Sequence, residues 1–86
     1  MRERKKKKLK PSGLAIHPRT GNLYVIASVG KMLLVLSPEG RLLHAERLDK
    51  DLFEQPEGIA FDLQGNLYIA SEGEDGPGKL MKFKMK

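Results

Sequence analysis

The chain has 86 residues, 40% apolar and 31% charged, with nine glycines, five prolines and no cysteine, which suits one small domain with a modest core, or a piece of a larger protein. The missing cysteines exclude a disulfide framework, a thiolate zinc or iron–sulfur site and a thiol nucleophile, so packing and strand pairing must hold the chain together. A formal net charge of +5 points to a polyanionic partner only until it is divided along the chain.

Residues 1–10 read as a basic arm, in which Arg2, Arg4, Lys5, Lys6, Lys7, Lys8 and Lys10 face the single acid Glu3. The remaining residues hold nine positive charges against ten negative ones, so the basicity belongs to the arm, with a weaker echo at Lys79, Lys82, Lys84 and Lys86. An arm with two arginines and no aromatic residue for base stacking suits a solvated segment better than a reader of nucleic acid, which makes nucleic-acid binding the disfavoured reading. The longest apolar stretch, Met32 to Leu36, is far shorter than the roughly 20 residues of a bilayer span. No apolar run follows the basic start as a signal peptide requires. The expectation is a soluble chain with no membrane span and no export signal.

From Pro11 onward the chain repeats itself. Pro11-Ser12-Gly13-Leu14-Ala15-Ile16-His17 followed by Gly21-Asn22-Leu23-Tyr24-Val25 returns as Pro56-Glu57-Gly58-Ile59-Ala60-Phe61-Asp62 followed by Gly65-Asn66-Leu67-Tyr68-Ile69. A period in the forties made of short apolar stretches and glycine turns is that of a propeller blade with four antiparallel strands, whereas helical repeats of that length need long 3.6-residue stripes.

In chain order, the innermost strand of the first blade is expected at Gly13–His17, the second strand at Leu23–Ser28, the third at Lys31–Leu36 and the fourth at Arg41–Leu48. Pro18 to Asn22 and Ser37 to Gly40 form the hairpin turns. Asp49 to Gln55 crosses to a second blade with strands at Gly58–Asp62, Leu67–Ser71 and Lys79–Lys86 and no fourth strand, which leaves an edge blunted by its lysines. The arm could supply that strand only poorly, because its like charges repel. The fold class is therefore all-β, with a basic arm at 1–10 and a partial propeller at 11–86: blade one 11–48, connection 49–55, blade two 56–86. Alternation places Leu14, Ile16, Leu23, Val25, Leu33, Val35, Ile59, Phe61, Leu67 and Ile69 in the core.

Lys10 to Pro18, Gly21-Asn22-Leu23-Tyr24, Ser28-Val29-Gly30-Lys31, Gln55 to Phe61 and Asn66 to Gly73 together resemble the C-terminal part of the SdiA-regulated family, also called the YjiK/CarP family. The Gly-Asn-Leu-Tyr turn is shared with other propellers. The Gln-Pro-Glu-Gly-Ile and Ser-Glu-Gly blocks are the more specific part. The resemblance implies a bacterial six-bladed β-propeller of which this chain is a fragment of less than two full blades, an address in the cell envelope or periplasm for the parent family, and an association with calcium.

In a meander, the entry to the first strand and the loop between the second and third lie at one end of the blade. Ser12, Glu57, Glu72, Glu74 and Asp75 should share that end, with Glu57 and Glu72 toward a channel mouth. Carboxylates there suit Ca²⁺, which takes six to eight oxygen ligands, so Glu57 and Glu72 are the candidate metal ligands. The competing reading has Glu57 accept turn amides while Glu72, Glu74 and Asp75 solvate a loop. No catalytic or cofactor-binding residue emerges: His17 and Asp62 share a repeat position before a turn, as capping residues do. His44 sits in an outer strand, and no serine has a nucleophile-elbow setting. Gly73 to Gly78 lacks the spacing and terminal Glu of an EF-hand loop.

Two functions are weighed: a non-enzymatic binding or scaffold module with calcium or a small ligand at the channel mouth, and a piece of a calcium-dependent hydrolase acting on lactones or phosphate esters, which rests on fold analogy. Two blades cut from a ring expose apolar faces, which carry side chains from Leu14, Val25, Leu34, Ile59 and Ile69 depending on which way each strand points. The expected partners are therefore the remaining blades or further copies, three of which supply six blades.

Overall fold

The computed structural model describes residues 11–73 and 76–84. Among them are seven strands and no helix: β1 (Pro11–Ile16), β2 (Leu23–Ala27), β3 (Met32–Leu36), β4 (Leu42–Arg47), β5 (Gln55–Phe61), β6 (Leu67–Glu72) and β7 (Lys79–Phe83). The first four form one antiparallel sheet in the order β1-β2-β3-β4, and the last three form a second, β5-β6-β7. Every strand pairs with its neighbour in sequence, as a chain of short hairpins dictates. The basic arm, Glu74, Asp75, Met85 and Lys86 lie outside the described residues.

The two copies of the repeat turn in the same way. His17 N donates to Asn22 O at 2.9 Å and Gly21 N to His17 O at 3.0 Å, and the second copy repeats both bonds between Asp62 and Asn66 and between Gly65 and Asp62. Gly21 (φ 76°) and Gly65 (φ 87°) take the left-handed backbone that closes each turn, a conformation in which a Cβ costs about 1–2 kcal/mol. Capping is likewise shared. Arg19 N and Thr20 N donate to His17 Nδ1, while Gln64 N and Asn66 N donate to Asp62 Oδ1. One repeat position thus does one structural job with two different acceptors.

The sheets stack through β1 and β2 against β5. Ile26, Phe53, Leu67 and Ile69 form the buried cluster, with Tyr24, Leu33, Leu48, Ile59, Phe61 and Met81 packed around it. Aromatic edges seal the seam at the turn end: Phe61 meets Tyr24 at 4.8 Å and His17 at 5.0 Å, both edge-on. At the innermost strands the backbones come close, since a Cβ on Gly13 would lie 3.1 Å from Ile59 Cγ2 and 3.2 Å from the Glu57 carbonyl oxygen. The connection also contributes to the core. Leu52 N and Phe53 N donate to Asp49 O, and Asp51 N to Asp49 Oδ1 at 2.8 Å, a tight turn that drops Phe53 between the sheets.

Strand register decides which expected core residues are covered. Val25, Val35, Leu67 and Ile69 are buried, whereas Leu33, Ile59 and Phe61 are partly buried against the cluster and Leu23 is half-buried. Leu14 and Ile16, expected inside, are 59% and 61% exposed. Leu14 pairs with Val25, which pairs with Leu34, so these side chains share the face of the first sheet turned away from the second. Ile59 and Ile69, expected on open outer faces, instead line the seam between the sheets, and Ile69 is fully buried.

Candidate functional site

Both innermost strands begin earlier than the sequence pattern places them, and the reason is a β-bulge. Pro11 pairs with Ala27 and Gly13 with Ile26, so Ser12 is the extra residue. Pro56 pairs with Ser71 and Gly58 with Ala70, so Glu57 is its counterpart. A proline that cannot donate to the ladder, followed two residues later by glycine, is the local signal for such a bulge. It aims the intervening side chain away from the regular pleat.

The two bulge residues have different surroundings. Ser12 Oγ donates to the Pro56 carbonyl of the second sheet at 2.7 Å, latching the two sheets at the end where the chain enters each innermost strand. Glu57, its repeat equivalent, is exposed at the rim of an open groove of about 480 Å³. Glu72, opposite Gln55 at the end of β6, lines the same groove, together with Gly58, Ala70, Ser71, Gly78, Lys79 and Leu80. The structure therefore brings the two candidate carboxylates to one groove, and it places Ser12 at the seam. Glu74 and Asp75, expected at the same end, lie outside the described residues.

Two exposed carboxylates offer hard oxygen donors, and the nearby Lys79 ammonium is turned to the connection between the sheets, where it donates to the Asp51 carbonyl at 3.4 Å. Among the described residues no group of three or more His, Cys, Asp or Glu side chains could hold a metal ion. Two carboxylates are fewer oxygen donors than the six to eight that Ca²⁺ takes.

Several other polar side chains have structural partners. His44 Nε2 lies 3.0 Å from Glu46 Oε1 on the exposed outer strand. Ser71 Oγ accepts from Gln55 N and Ser37 Oγ from Arg41 N. Asp62 is the most perturbed: the Asn66 side-chain amide, the Asn66 backbone amide, the Tyr68 hydroxyl and the Gln64 amide all donate to its carboxylate, taking its pKa from the ordinary 3.8 to about 2. A depressed carboxylate stabilises the fold above its unfolded pKa, and that stability is lost as pH falls through the folded value. The turn should therefore weaken between pH 3.8 and about 2. Asp62→Asn should remove that acid-dependent component, so the stability gap between parent and variant, measured by urea unfolding, should narrow across this window; a constant gap contradicts the turn's electrostatics.

Sequence reasoning placed Glu57 and Glu72 at one end of the blade, but it missed the bulge that sets Glu57 apart from the ladder. The Pro-x-Gly spacing was the available signal for it. A protein-family model described as SdiA-regulated matches residues 3–83 of the chain. No curated protein matches it.

Proposed function

This chain belongs to the SdiA-regulated family, and from that premise we propose that it works as a binding or scaffold module made of consecutive propeller blades, without turnover of its own, and contributes to a calcium site at Glu57 and Glu72. The observation that supports this reading is the shared groove: two ionisable carboxylates at the entry end of the second blade, one of them lifted out of the ladder by a bulge. Blades supply rigid walls, and their end loops supply ligands. His17 and Asp62, read from the sequence as turn-capping residues, accept backbone amides of their turns.

Calorimetric titration with Ca²⁺ tests the proposal. The parent chain should bind weakly, because two carboxylates supply only part of the required oxygen shell, and Glu57→Gln should abolish the heat by removing the formal charge a hard cation needs. An absent signal in the parent chain, or equal binding by the variant, removes the calcium role. Calcium-dependent hydrolysis of a lactone or a phosphate ester by the parent chain would overturn the non-enzymatic reading and favour a hydrolase.

A further inference from the structure

The two outward faces of this molecule are repeat copies of the two faces already packed together inside it. The second sheet meets the first through Ile59, Phe61, Leu67 and Ile69. Their repeat equivalents are Leu14, Ile16, Leu23 and Val25, which by register and alternation form the open face of the first sheet. In the other direction, the first sheet meets the second through Gly13, Tyr24 and Ile26, whose equivalents Gly58, Tyr68 and Ala70 lie, with Ala60, on the open face of the second sheet. Each open face therefore carries the apolar chemistry of one side of an interface whose other side is the molecule's remaining open face, with Glu57 standing where Ser12 latches the internal seam.

We infer that the open face of the first sheet docks on the open face of the second sheet of another copy of this chain, head to tail, repeating the internal seam. The shapes agree with this. Leu14 and Ile16 project at 59% and 61% exposure, and Leu42 extends the same patch at 55%, pairing with Leu36 in the register. Opposite them, the receiving face is low along β5 and the adjoining part of β6, where Gly58 has no side chain and Ala60 and Ala70 are small and exposed, while Leu80, paired with Ala70, stands beside this floor at 67% exposure. Inside the molecule the corresponding glycine, Gly13, receives Ile59 with no room for a Cβ; a Cβ on Gly58 would meet only Ala70 of its own sheet, so the space above it is open to a partner's Leu14. Lys82 stays at the rim on edge strand β7, its ammonium 5.6 Å from the Tyr68 ring centre, where a long stem can cover apolar surface while the charge keeps its water. An apolar face of this kind is what soluble monomers usually cover, and a contact joining two different faces propagates until it closes a ring or forms a filament.

The test uses the heterologous character of the contact. Leu14→Arg blocks one face and Ala60→Arg the other, both at exposed positions, so circular dichroism should show the parent's β-structure in each. In sedimentation equilibrium the parent chain should associate with rising concentration, and each variant alone should remain at the 9.6 kDa of one chain. An equimolar mixture of the two should form a one-to-one dimer, because each variant keeps the face the other has lost. Should either substitution disturb folding, Ile16→Arg and Ala70→Arg repeat the design on the same two faces. A parent chain that stays monomeric at its highest attainable concentration overturns the inference and assigns the faces to other propeller blades; variants that still self-associate, or a mixture that stays monomeric, overturn it as well.

Discussion

Phe53→Ala should cost about 3–5 kcal/mol, the usual range for emptying an aromatic core position, and so remove much of the roughly 4–13 kcal/mol available to a domain of this length. Phe53 is almost completely buried although it belongs to no strand. Its ring lies in the central cluster with Ile26, Leu67 and Ile69 and stacks toward Phe83 at 6.2 Å. Truncation opens a void that strand backbones fixed by ladder hydrogen bonds cannot collapse into. Thermal unfolding followed by circular dichroism should show a large fall in the midpoint, whereas Leu52→Ala, at a more exposed neighbour in the same turn, should cost well under half as much. Equal effects would show that Phe53 acts only through the turn.

The second large effect is expected at Gly13, where Ala should cost about 1–3 kcal/mol by overpacking. A Cβ there meets Ile26 Cγ1 and Ile59 Cγ2 at 3.1 Å and the Glu57 carbonyl oxygen at 3.2 Å. The side chains can give by small rotations, but the carbonyl is backbone of the opposing sheet, so relief requires the two sheets to move apart. Gly58→Ala is the matched control, because its Cβ would contact only Ala70 of its own sheet at 3.3 Å. Urea unfolding of the two variants should give a clearly larger loss for Gly13→Ala. The reverse order would mean that the innermost strands are not the point of closest approach.

The strands and hairpins were legible because their signals are local: glycine and asparagine in the turns, β-branched and aromatic residues between them, and a repeat that returns the same pattern twice. Burial was less legible, for a reason specific to stacked sheets. Alternation assigns side chains to two faces of a strand, but here both faces are apolar, and periodicity does not say which one meets the other sheet. Leu14 and Ile59 occupy the same repeat position; one is largely exposed and the other packs against the core. Phe53 was missed because a single aromatic among Asp49, Lys50, Asp51 and Glu54 has no periodic partner. The candidate site was legible as far as its end of the blade, since meander topology fixes which loops gather there, but the bulge at Glu57 emerges only once the register is known.

The neighbour-to-neighbour strand order has a consequence for synthesis on the ribosome. A hairpin of this size closes in about 1–10 μs, so a chain growing from its N-terminus can complete the ladder of the first sheet as soon as Arg47 is free. Tyr24, Ile26 and Leu33 then form a paired but uncovered face, since Phe53, β5 and β6 have yet to emerge. Hydrogen bonding and burial are thereby separated in time, and the interval is set by the rate of translation across residues 48–72. Nascent chains halted within that stretch would offer a hydrophobic chaperone both faces of the first sheet, and those released beyond it only the face that carries Leu14 and Ile16.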